Sequence, residues 1–299
     1  MSSPAATLVV GATGTTGSRT AALLVAAGRR VRAAGRTATA LPGTEPVRLD
    51  WYDPATFDGA LAGCDRAYLV PPTGEPDPAA VMLPFLRRAR DAGVRRAVLL
   101  SSSAVPRGGP AVGAVHDALP GLFDEWAVLR PSWFMQNFTG AHVHARTIRE
   151  EGVVRTATGS GRVGFVDAGD IAAVAVRALT DDPAPNTDLI LTGPQALGYD
   201  DIARIVSDTT GRPVVHQHLT RDEMRDRLTA QMPVDFAGML ADMDLAIADG
   251  AEDRTTDTVL RVTGRPPRSF RQVADSELTS RDGAFTLNPM QRTQGSPLH

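Results

Sequence analysis

The sequence predicts an α/β fold: a doubly wound parallel sheet with a smaller, mostly helical C-terminal lobe for a substrate. Three observations support this prediction. Short apolar runs alternate with helical patterns through residues 1–131, which is typical of βαβ units. The glycine-rich stretch GATGTTG at 11–17 joins the first apolar run to the first helical pattern. Beyond the proline-rich connector at 182–185, the patterns become mostly helical.

Apolar runs and periodic segments locate the individual elements. The predicted strands are 6–10, 31–34, 47–49, 67–70, 97–100 and 127–129, and a further strand at 188–192 would return to the sheet. The predicted helices are 18–27, 79–91, 167–180, 199–208, 221–229 and 234–248. The first two helices are followed by Gly28 and Gly93, because glycine readily adopts the left-handed conformation that ends a helix.

Length, charge and cysteine content exclude several classes of function. The chain has 299 residues, is 42% hydrophobic and has a net charge of -3, from 31 basic and 34 acidic residues. No basic stripe for nucleic acid or an anionic membrane is present, and no apolar stretch approaches the roughly 18 to 20 residues of a membrane span. Cys64 is the single cysteine, so no internal disulfide is expected, and the first residues lack the pattern of a signal peptide. We therefore expect a cytoplasmic protein that acts on a small molecule.

The chain contains no lysine, so all its basic side chains other than histidine are arginine. A guanidinium group is always charged and cannot replace a titratable amine. The sequence therefore excludes a P-loop lysine, a lysine Schiff base with pyridoxal phosphate, and a Tyr-x-x-x-Lys catalytic pair.

The spacing of Gly11, Gly14 and Gly17 predicts a dinucleotide site. A tight turn from a strand into a helix needs glycine for positive φ, for close approach of the backbone to a ligand, and for packing of the helix on the strand. The helix that follows presents free N–H groups and about half a positive charge, which suits a pyrophosphate. A tight turn that binds nothing is the alternative.

Arg36 follows the second predicted strand, where an acidic residue would bind the ribose 2′-hydroxyl of NAD. Residues 35–39 contain no acidic side chain, and Arg36 is the natural partner of a 2′-phosphate. A hydrogen bond to a charged group contributes about 1.5 to 3 kcal/mol, roughly tenfold to a hundredfold in affinity. The sequence therefore favours NADP(H) and leaves NAD(H) open. A solvated charge at the strand end is the alternative interpretation of Arg36.

Further motifs extend along nearly the whole chain. They are LDW at 49–51, LLSSSA at 99–104, LRPSWFMQNF at 129–138, FVDAGDIAAVAV at 165–176, TGPQALGYDDIA at 192–203 and TGRPPRSF at 263–270. Together with the glycine loop and the arginine after the second strand, this combination resembles the NmrA-like group of atypical short-chain dehydrogenases/reductases, which have a Rossmann fold. That group includes NADPH-dependent quinone reductases, reductases of alkaloid and polyketide pathways, and dinucleotide-sensing regulators.

The resemblance implies which residues hold the cofactor. The glycine loop would cradle the pyrophosphate, a pair after the third strand would flank the adenine, and residues after the fourth, fifth and sixth strands would line the path to the nicotinamide. The residues concerned are Gly11, Thr13, Gly14, Thr15, Thr16, Gly17, Arg36, Asp50, Trp51, Val70, Pro71, Pro72, Ser101, Ser102 and Pro131. A turn cap at Asp50 and a core position for Trp51 are the alternatives. We accordingly expect a dinucleotide-binding domain at 1–155, to which 164–193 return, a substrate lobe at 194–281 and a flexible tail at 282–299.

The chain departs from the serine, tyrosine and lysine of the wider superfamily. Its only tyrosines, Tyr52, Tyr68 and Tyr199, do not follow the fifth strand, where the proton donor would stand. This absence favours a substrate whose reduced form is stabilised without such a donor, for example a quinone, an enone or an iminium ion.

Ser103 and His116 are the two candidate catalytic residues. Ser103 lies at the serine-rich end of the fifth strand, where the superfamily places a substrate-orienting hydroxyl, although such serines often only bond local backbone. His116 lies on the helix that follows the fifth strand, at about the place where a proton donor would be needed. A histidine has an unperturbed pKa near 6.5, so His116 is a plausible acid. Surface exposure or helix packing is the alternative for His116.

Aromatic and polar residues after the sixth strand form the candidate substrate site. A planar substrate could stack there, and a core hinge between lobes explains the same residues about equally well. The substrate-binding candidates are Trp133, Phe134, Met135 and Asn137.

Two pairs of histidines raise the question of a metal. His142 and His144 lie in a helical pattern, where positions i and i+2 do not share a face. His216 and His218 could share a strand face, but no cysteine or close carboxylate in the sequence completes a ligand set. We therefore predict no metal.

The sequence as a whole predicts an NAD(P)H-dependent reductase of a planar, conjugated small molecule, in secondary metabolism. One variant reduces a quinone to a hydroquinone that then reacts with oxygen, so that the net outcome is hydroxylation. The alternative is a regulator without turnover, which senses the dinucleotide and reports to a protein partner. The oligomeric state is not predicted.

Overall fold

The computed structural model describes residues 5–230 and 232–279. Its centre is a seven-stranded parallel sheet in the order β3-β2-β1-β4-β5-β6-β9. The strands of this sheet are β1 Ala6–Val10, β2 Val31–Gly35, β3 Glu45–Arg48, β4 Cys64–Leu69, β5 Arg96–Leu100, β6 Glu125–Pro131 and β9 Thr187–Leu191. The predicted doubly wound fold is confirmed, and the strand predicted at 188–192 returns to the sheet beside β6.

Some of the helices cover the two faces of the main sheet, and the others belong to a smaller lobe. The helices are α1 Thr15–Ala26, α2 Phe57–Leu61, α3 Pro78–Asp91, α4 Gly113–Leu122, α5 Gln136–Thr139, α6 Val143–Glu151, α7 Ala168–Thr180, α8 Tyr199–Thr210, α9 Arg221–Thr229, α10 Val234–Ala248, α11 Thr258–Thr263 and α12 Phe270–Leu278, with a 3-10 turn at Pro54–Thr56. Residues of α2, α3 and α4 pack on one face, and residues of α1, α7 and α11 pack on the other. Because both faces are covered, the strands are apolar runs rather than alternating patterns.

Most predicted boundaries differ from the observed ones by a few residues. The prediction for β3 at 47–49 is displaced, because the strand pairs with β2 through residues 45–48. The edge position of β3 leaves most of its side chains exposed, so its apolar pattern is weak. Gly28 and Gly93 have φ of 71° and 98°, as expected for residues that follow the ends of α1 and α3.

A smaller lobe packs around two short two-stranded sheets. Its strands are β7 Val153–Thr156, β8 Arg162–Val163, β10 Leu197–Gly198 and β11 Val215–His218. β7 pairs in parallel with β11, and β8 pairs antiparallel with β10. The pairing of β7 with β11 therefore joins residues on both sides of the boundary predicted at 155. Met135 and Phe138, which follow β6, are buried in the core of this lobe and connect it to the carboxyl edge of the main sheet.

Two further predictions concern the ends and the surroundings of the chain. The flexible tail at 282–299 lies outside the described residues. Among the residues that are described, no helix combines the length and apolar character that crossing a membrane requires.

Candidate functional site

The glycine loop makes backbone contacts that only glycine permits. Gly11 has a φ of 68°, in the left-handed region. A Cβ added to Gly17 would lie 2.2 Å from the carbonyl oxygen of Gly11, and one added to Gly14 would lie 3.2 Å from the same oxygen. The first turn of α1 therefore packs directly on the end of β1, as the spacing of the glycines predicts.

The beginning of α1 is open to a ligand. Gly14 is the N-cap and has no side chain, and the first turn contains no acidic residue. Thr13, Gly14 and Thr15 are exposed. Because the first N–H groups of a helix have no partner within the helix, they are free to bind an anion here. Thr16 differs from its neighbours: it is buried, and its hydroxyl accepts a hydrogen bond of 3.0 Å from Tyr68.

Arg36 follows β2 directly and is exposed. Within the described residues it makes no hydrogen bond or ion pair, so its guanidinium group is available. Asp50 accepts a hydrogen bond of 3.1 Å from the N–H of Tyr52 and so caps a turn. Trp51 is only 9% exposed and packs edge-on against Phe85, with ring centroids 5.1 Å apart. The structure thus leaves Arg36 facing solvent, whereas Trp51 lies mostly in the core.

The carboxyl ends of β4, β5 and β6 bring the next candidates together. Val70 lies beside the glycine loop, since a Cβ on Gly11 would be 3.1 Å from the Cβ of Val70. Pro71 and Pro72 follow it and are half-buried. Pro131, at the end of β6, accepts a hydrogen bond of 2.9 Å from the N–H of Ser103. The segments after the three strands therefore share one edge of the sheet.

The three serines after β5 have different environments. The hydroxyl of Ser101 is buried and makes no hydrogen bond within the described residues. The hydroxyl of Ser102 accepts a bond of 3.3 Å from the N–H of Ala104, which is a local turn. Ser103 is 6% exposed and donates a hydrogen bond of 2.8 Å to Oε2 of Glu252. Of the three hydroxyl groups, only that of Ser103 bonds a distant part of the chain within the described residues.

Glu252 was not predicted from the sequence, yet it organises this part of the site. It is 4% exposed, and its other oxygen, Oε1, lies 3.2 Å from the guanidinium of Arg254. Arg130 completes the group. It donates a hydrogen bond of 3.0 Å to the carbonyl oxygen of Ser103 and one of 2.7 Å to the carboxylate of Asp188. We call Ser103, Arg130, Glu252 and Arg254 the Ser103 cluster. No local pattern identifies Glu252, because it stands in an irregular segment far from Ser103 in sequence.

His116 is not part of the Ser103 cluster. His116 is only 2% exposed. The centroid of its ring lies 6.4 Å from the ring centroid of Trp126, near the start of β6. Burial lowers the pKa of His116 below its usual value, with opposing contributions from Asp188 and Arg130. An imidazole in this position is neutral at pH 7 and packed, which corresponds to the helix-packing alternative.

The aromatic segment after β6 is divided between the core and a cleft. Met135 is 1% exposed and packs in the core of the small lobe, whereas Trp133 and Phe134 are half-buried. Asn137 is half-buried and lines a cleft of about 540 Å³ beside the first turn of α1. The cleft is lined by Thr15, Arg19, Gln136, Asn137, Thr139, Gly140, Ala141, His142, Ser276 and Glu277.

Gln136, rather than Asn137, is the centre of the polar contacts at the base of this cleft. It donates to Asp167 at 2.8 Å and to Glu277 at 3.1 Å, and it accepts from the N–H of Ala168 at 2.8 Å. Arg268 donates a hydrogen bond of 3.0 Å to the carboxylate of Asp167. These contacts join α5, α7 and α12, so the cleft lies where the two lobes meet. Sequence reasoning missed Gln136 because its partners are all distant in the chain.

The three tyrosines lie away from the end of β5. Tyr68 is buried in β4 and Tyr199 is buried in the small lobe, and burial raises the pKa of both phenols. Tyr52 is exposed, and its hydroxyl donates a hydrogen bond of 2.6 Å to the carboxylate of Glu75. None of the three is therefore placed as a proton donor beside Ser103.

Asp200 corrects the expectation about the second histidine pair. His216 and His218 lie on β11, and the carboxylate of Asp200, in the first turn of α8, faces both rings at 3.3 and 3.6 Å. The sequence alone showed no close carboxylate, because Asp200 comes from a different element. His142 and His144 do not complete this set: the ring of His144 stacks on Phe138, and His142 caps α6.

The residues at the sheet edge fit a bound dinucleotide. The loop backbone is exposed at the beginning of α1, which offers N–H groups to a pyrophosphate. Arg36, which makes no hydrogen bond or ion pair within the described residues, follows β2, and the buried, unpartnered hydroxyl of Ser101 follows β5 at the same edge of the sheet. These groups belong to segments at the carboxyl ends of the strands, the edge where doubly wound sheets bind their ligands.

Comparison with known proteins supports this fit. A family model described as NAD(P)H-binding matches residues 11–182. The chain is 47% identical over 268 residues to the uncharacterized oxidoreductase YesF of Bacillus subtilis, covering 89% of this chain and 93% of that protein. It is 40% identical to the agroclavine dehydrogenase of Claviceps fusiformis, covering 74% of this chain and 80% of that protein.

A solved structure shares the fold at lower identity. The triphenylmethane reductase of Citrobacter sp., complexed with NADP(H), superimposes with a TM-score of 0.74 at 24% identity, covering 91% of this chain and 99% of that one. The family model spans more than half of this chain, and the sequence relatives are named oxidoreductases. The chain therefore belongs to the NAD(P)H-binding family of oxidoreductases.

Proposed function

We propose that this protein uses NADPH to reduce a planar, conjugated small molecule, such as a quinone, an enone or an imine. The observation that carries the proposal is that the open glycine loop and the Ser103 cluster lie at the same edge of the sheet, with no tyrosine placed at Ser103 and no lysine in the chain. Relatives named for azo and clavine substrates support a conjugated acceptor and a place in secondary metabolism. Quinone reduction is also the named activity of an Escherichia coli protein with this fold.

The cofactor contacts follow from the exposed groups. The backbone of Thr13 and Thr15 binds the pyrophosphate at the beginning of α1, next to Gly14, whose own N–H donates to the carbonyl oxygen of Gly11. Arg36 binds the 2′-phosphate, so that NADP(H) is favoured over NAD(H). Gly11 and Gly17 act indirectly, by allowing the loop to pack on β1. Bound NADPH supplies the hydride for the reduction.

Ser103 orients the nicotinamide or the substrate in this proposal. Its hydroxyl donates to Glu252, so its lone pairs remain available to a ligand donor. Arg130 and Arg254 fix the cluster from both sides. Because the site places no tyrosine or lysine beside Ser103, the substrate must be one whose reduced form needs no strong acid, and binding and orientation supply the catalysis.

The substrate contacts involve fewer residues than the sequence suggested. Trp133 and Phe134 keep exposed surface on which a planar ring can stack, and Asn137 offers an amide to the cleft. Met135 is buried and supports these residues from the core of the small lobe. His116 has no role in the proposed chemistry, because its ring is enclosed.

Two measurements test the proposed function. Calorimetry with NADPH and NADH measures affinity, and NADPH oxidation with a panel of quinones, enones and imines measures turnover. We expect saturable NADPH binding and hydride transfer to at least one class. Oxygen consumption beside NADPH loss would identify the hydroxylating variant. Binding without any turnover, together with unequal affinity for NADPH and NADP⁺, would show that the protein is a dinucleotide sensor and not a reductase.

Arg36→Ala tests the cofactor preference. Loss of one charged hydrogen bond lowers NADPH affinity by roughly tenfold to a hundredfold and leaves NADH affinity unchanged. Arg87→Ala, which removes an exposed arginine from α3, is the control. Equal losses for NADPH and NADH would contradict a contact between Arg36 and the 2′-phosphate.

A further inference from the structure

Two histidines and an aspartate lie together in the small lobe, on elements that carry none of the proposed dinucleotide residues. His216 and His218 alternate with Gln217 along β11, so they project from the same face of that strand. Asp200 lies in the first turn of α8. One donor atom from each of the three side chains lies within 4.8 Å of the other two.

Two of the distances between donor atoms, each to a different oxygen of Asp200, are close to those around a shared metal ion. Nδ1 of His216 lies 3.3 Å from Oδ1 of Asp200, and Nε2 of His218 lies 3.6 Å from Oδ2. Tetrahedral zinc sites have bonds of about 2.0 to 2.2 Å to nitrogen and oxygen, which places neighbouring ligand atoms roughly 3.3 Å apart. Direct hydrogen bonds prefer shorter separations, about 2.7 to 3.2 Å.

The environment of His216 provides a second, independent observation. Its side chain is 0% exposed, and its Nδ1 makes no hydrogen bond within the described residues. The other ring nitrogen, Nε2, lies 2.7 Å from the hydroxyl of Thr156, which in turn contacts Thr158. A metal-binding histidine is commonly fixed in this way, because a hydrogen bond from one nitrogen leaves the lone pair of the other aimed at the metal.

We propose that Asp200, His216 and His218 bind a divalent transition-metal ion of the zinc class. Imidazole nitrogen is a good ligand for such ions, whereas magnesium and calcium prefer sites made of oxygen. Asp200 and His218 are exposed, so the fourth position is open to water. The ion would join the beginning of α8 to β11, which pairs with β7, and would stabilise the small lobe.

Metal binding is tested on the untagged, full-length protein after dialysis against a chelator. Calorimetric titration with Zn²⁺ should show one site, and Co²⁺ should give the intense visible absorption of tetrahedral coordination. Zn²⁺ at about a hundred times its Kd should raise the Tm by roughly 5 °C. A wild-type protein that shows neither a one-site titration nor the Co²⁺ spectrum would overturn the proposal.

Exposed ligands allow variants that keep the fold. Asp200→Asn and His218→Ala should each lower Zn²⁺ affinity by at least tenfold and abolish the tetrahedral Co²⁺ spectrum, while their Tm without metal stays within a few degrees of wild type. His142→Asn is the matched control, because it removes a nearby imidazole but keeps a capping side chain. Equal Zn²⁺ affinity in wild type, Asp200→Asn and His218→Ala, or an equal loss in His142→Asn, would show that the ion binds elsewhere.

Discussion

The glycine loop and the Ser103 cluster lie at the same edge of the sheet, but their contacts span very different lengths of chain. Within the loop, Gly17 packs on Gly11, six positions earlier. In the cluster, Ser103 bonds Glu252, which is 149 residues later. The loop is therefore shaped by the local sequence, whereas the cluster exists only when the loop before α11 folds over β5 and β6.

This difference also separates two kinds of function. The glycine loop presents backbone groups, whose position depends on the absence of side chains. The Ser103 cluster presents a hydroxyl whose direction depends on a buried carboxylate and on Arg130. Cofactor binding and substrate orientation should consequently respond to different substitutions, and the following experiments test that separation.

Gly17→Ala should have the largest effect. Its Cβ would overlap the carbonyl oxygen of Gly11, and neither backbone segment can move without shifting β1 or α1. We expect NADPH affinity to fall at least a hundredfold and the free energy of unfolding to fall by about 3 kcal/mol. Calorimetry measures the NADPH affinity, and urea unfolding measures the free energy of unfolding. Gly121→Ala, where nothing lies near the added Cβ, is the control, and a similar loss there would contradict the packing argument.

Asp244→Asn tests a second long-range contact, in the small lobe. The carboxylate of Asp244 accepts a hydrogen bond of 2.8 Å from the N–H of Ala157. Burial raises the pKa of Asp244 from 3.8 to about 6. Because the folded state then binds an extra proton between about pH 4 and 6, this group makes wild-type stability fall as pH rises through that window. An asparagine keeps the acceptor and removes the effect.

The stability gained by Asp244→Asn relative to wild type should therefore grow by about 2 to 3 kcal/mol between pH 4 and pH 7. Urea unfolding at a series of pH values measures it. Asp235→Asn, which removes an exposed carboxylate from the same helix, is the control. A difference that stays constant from pH 4 to 7 would be inconsistent with a buried, protonated Asp244.

Glu252→Gln should separate substrate orientation from cofactor binding. The substitution keeps the volume of the side chain and removes the charge that fixes Ser103. We expect kcat to fall roughly tenfold to a hundredfold, as for a misplaced orienting group, with NADPH affinity within about threefold of wild type. Asp253→Asn removes the adjacent, exposed carboxylate and serves as the control. An unchanged kcat would reduce Glu252 to a packing role.

His116→Gln should have the smallest effect. The ring is enclosed beside Trp126 and burial lowers its pKa, so near neutral pH it is the neutral imidazole and not the imidazolium that acts as a general acid. We expect kcat to remain within about twofold and its pH profile to keep its shape. Steady-state kinetics from pH 5 to 9 check this. A tenfold loss of kcat together with a changed pH profile would show that His116 acts as an acid.

Local patterns predicted the fold well and the site only in part. Strand β1 was predicted with its observed bounds, and α9 and α10 likewise, because their apolar or capping signals are complete within the segment. Trp51 and Met135 were predicted as ligand contacts but lie largely buried, since sequence shows that a residue is apolar and not what covers it. Glu252 lies in no motif, and the motifs that contain Gln136 and Asp200 did not indicate their partners, which are distant in the chain.

The sequence by itself determined the parallel sheet, the glycine loop and the absence of a lysine-based mechanism. Each of these depends on residue type and on spacing within one βαβ unit. The tertiary structure alone decided that Glu252 meets Ser103, that Gln136 joins the two lobes, and that Asp200 faces His216 and His218. The physical reason is that side-chain hydrogen bonds and ligand sets depend on positions in space, which chain separation does not specify until the helices have packed on the sheet.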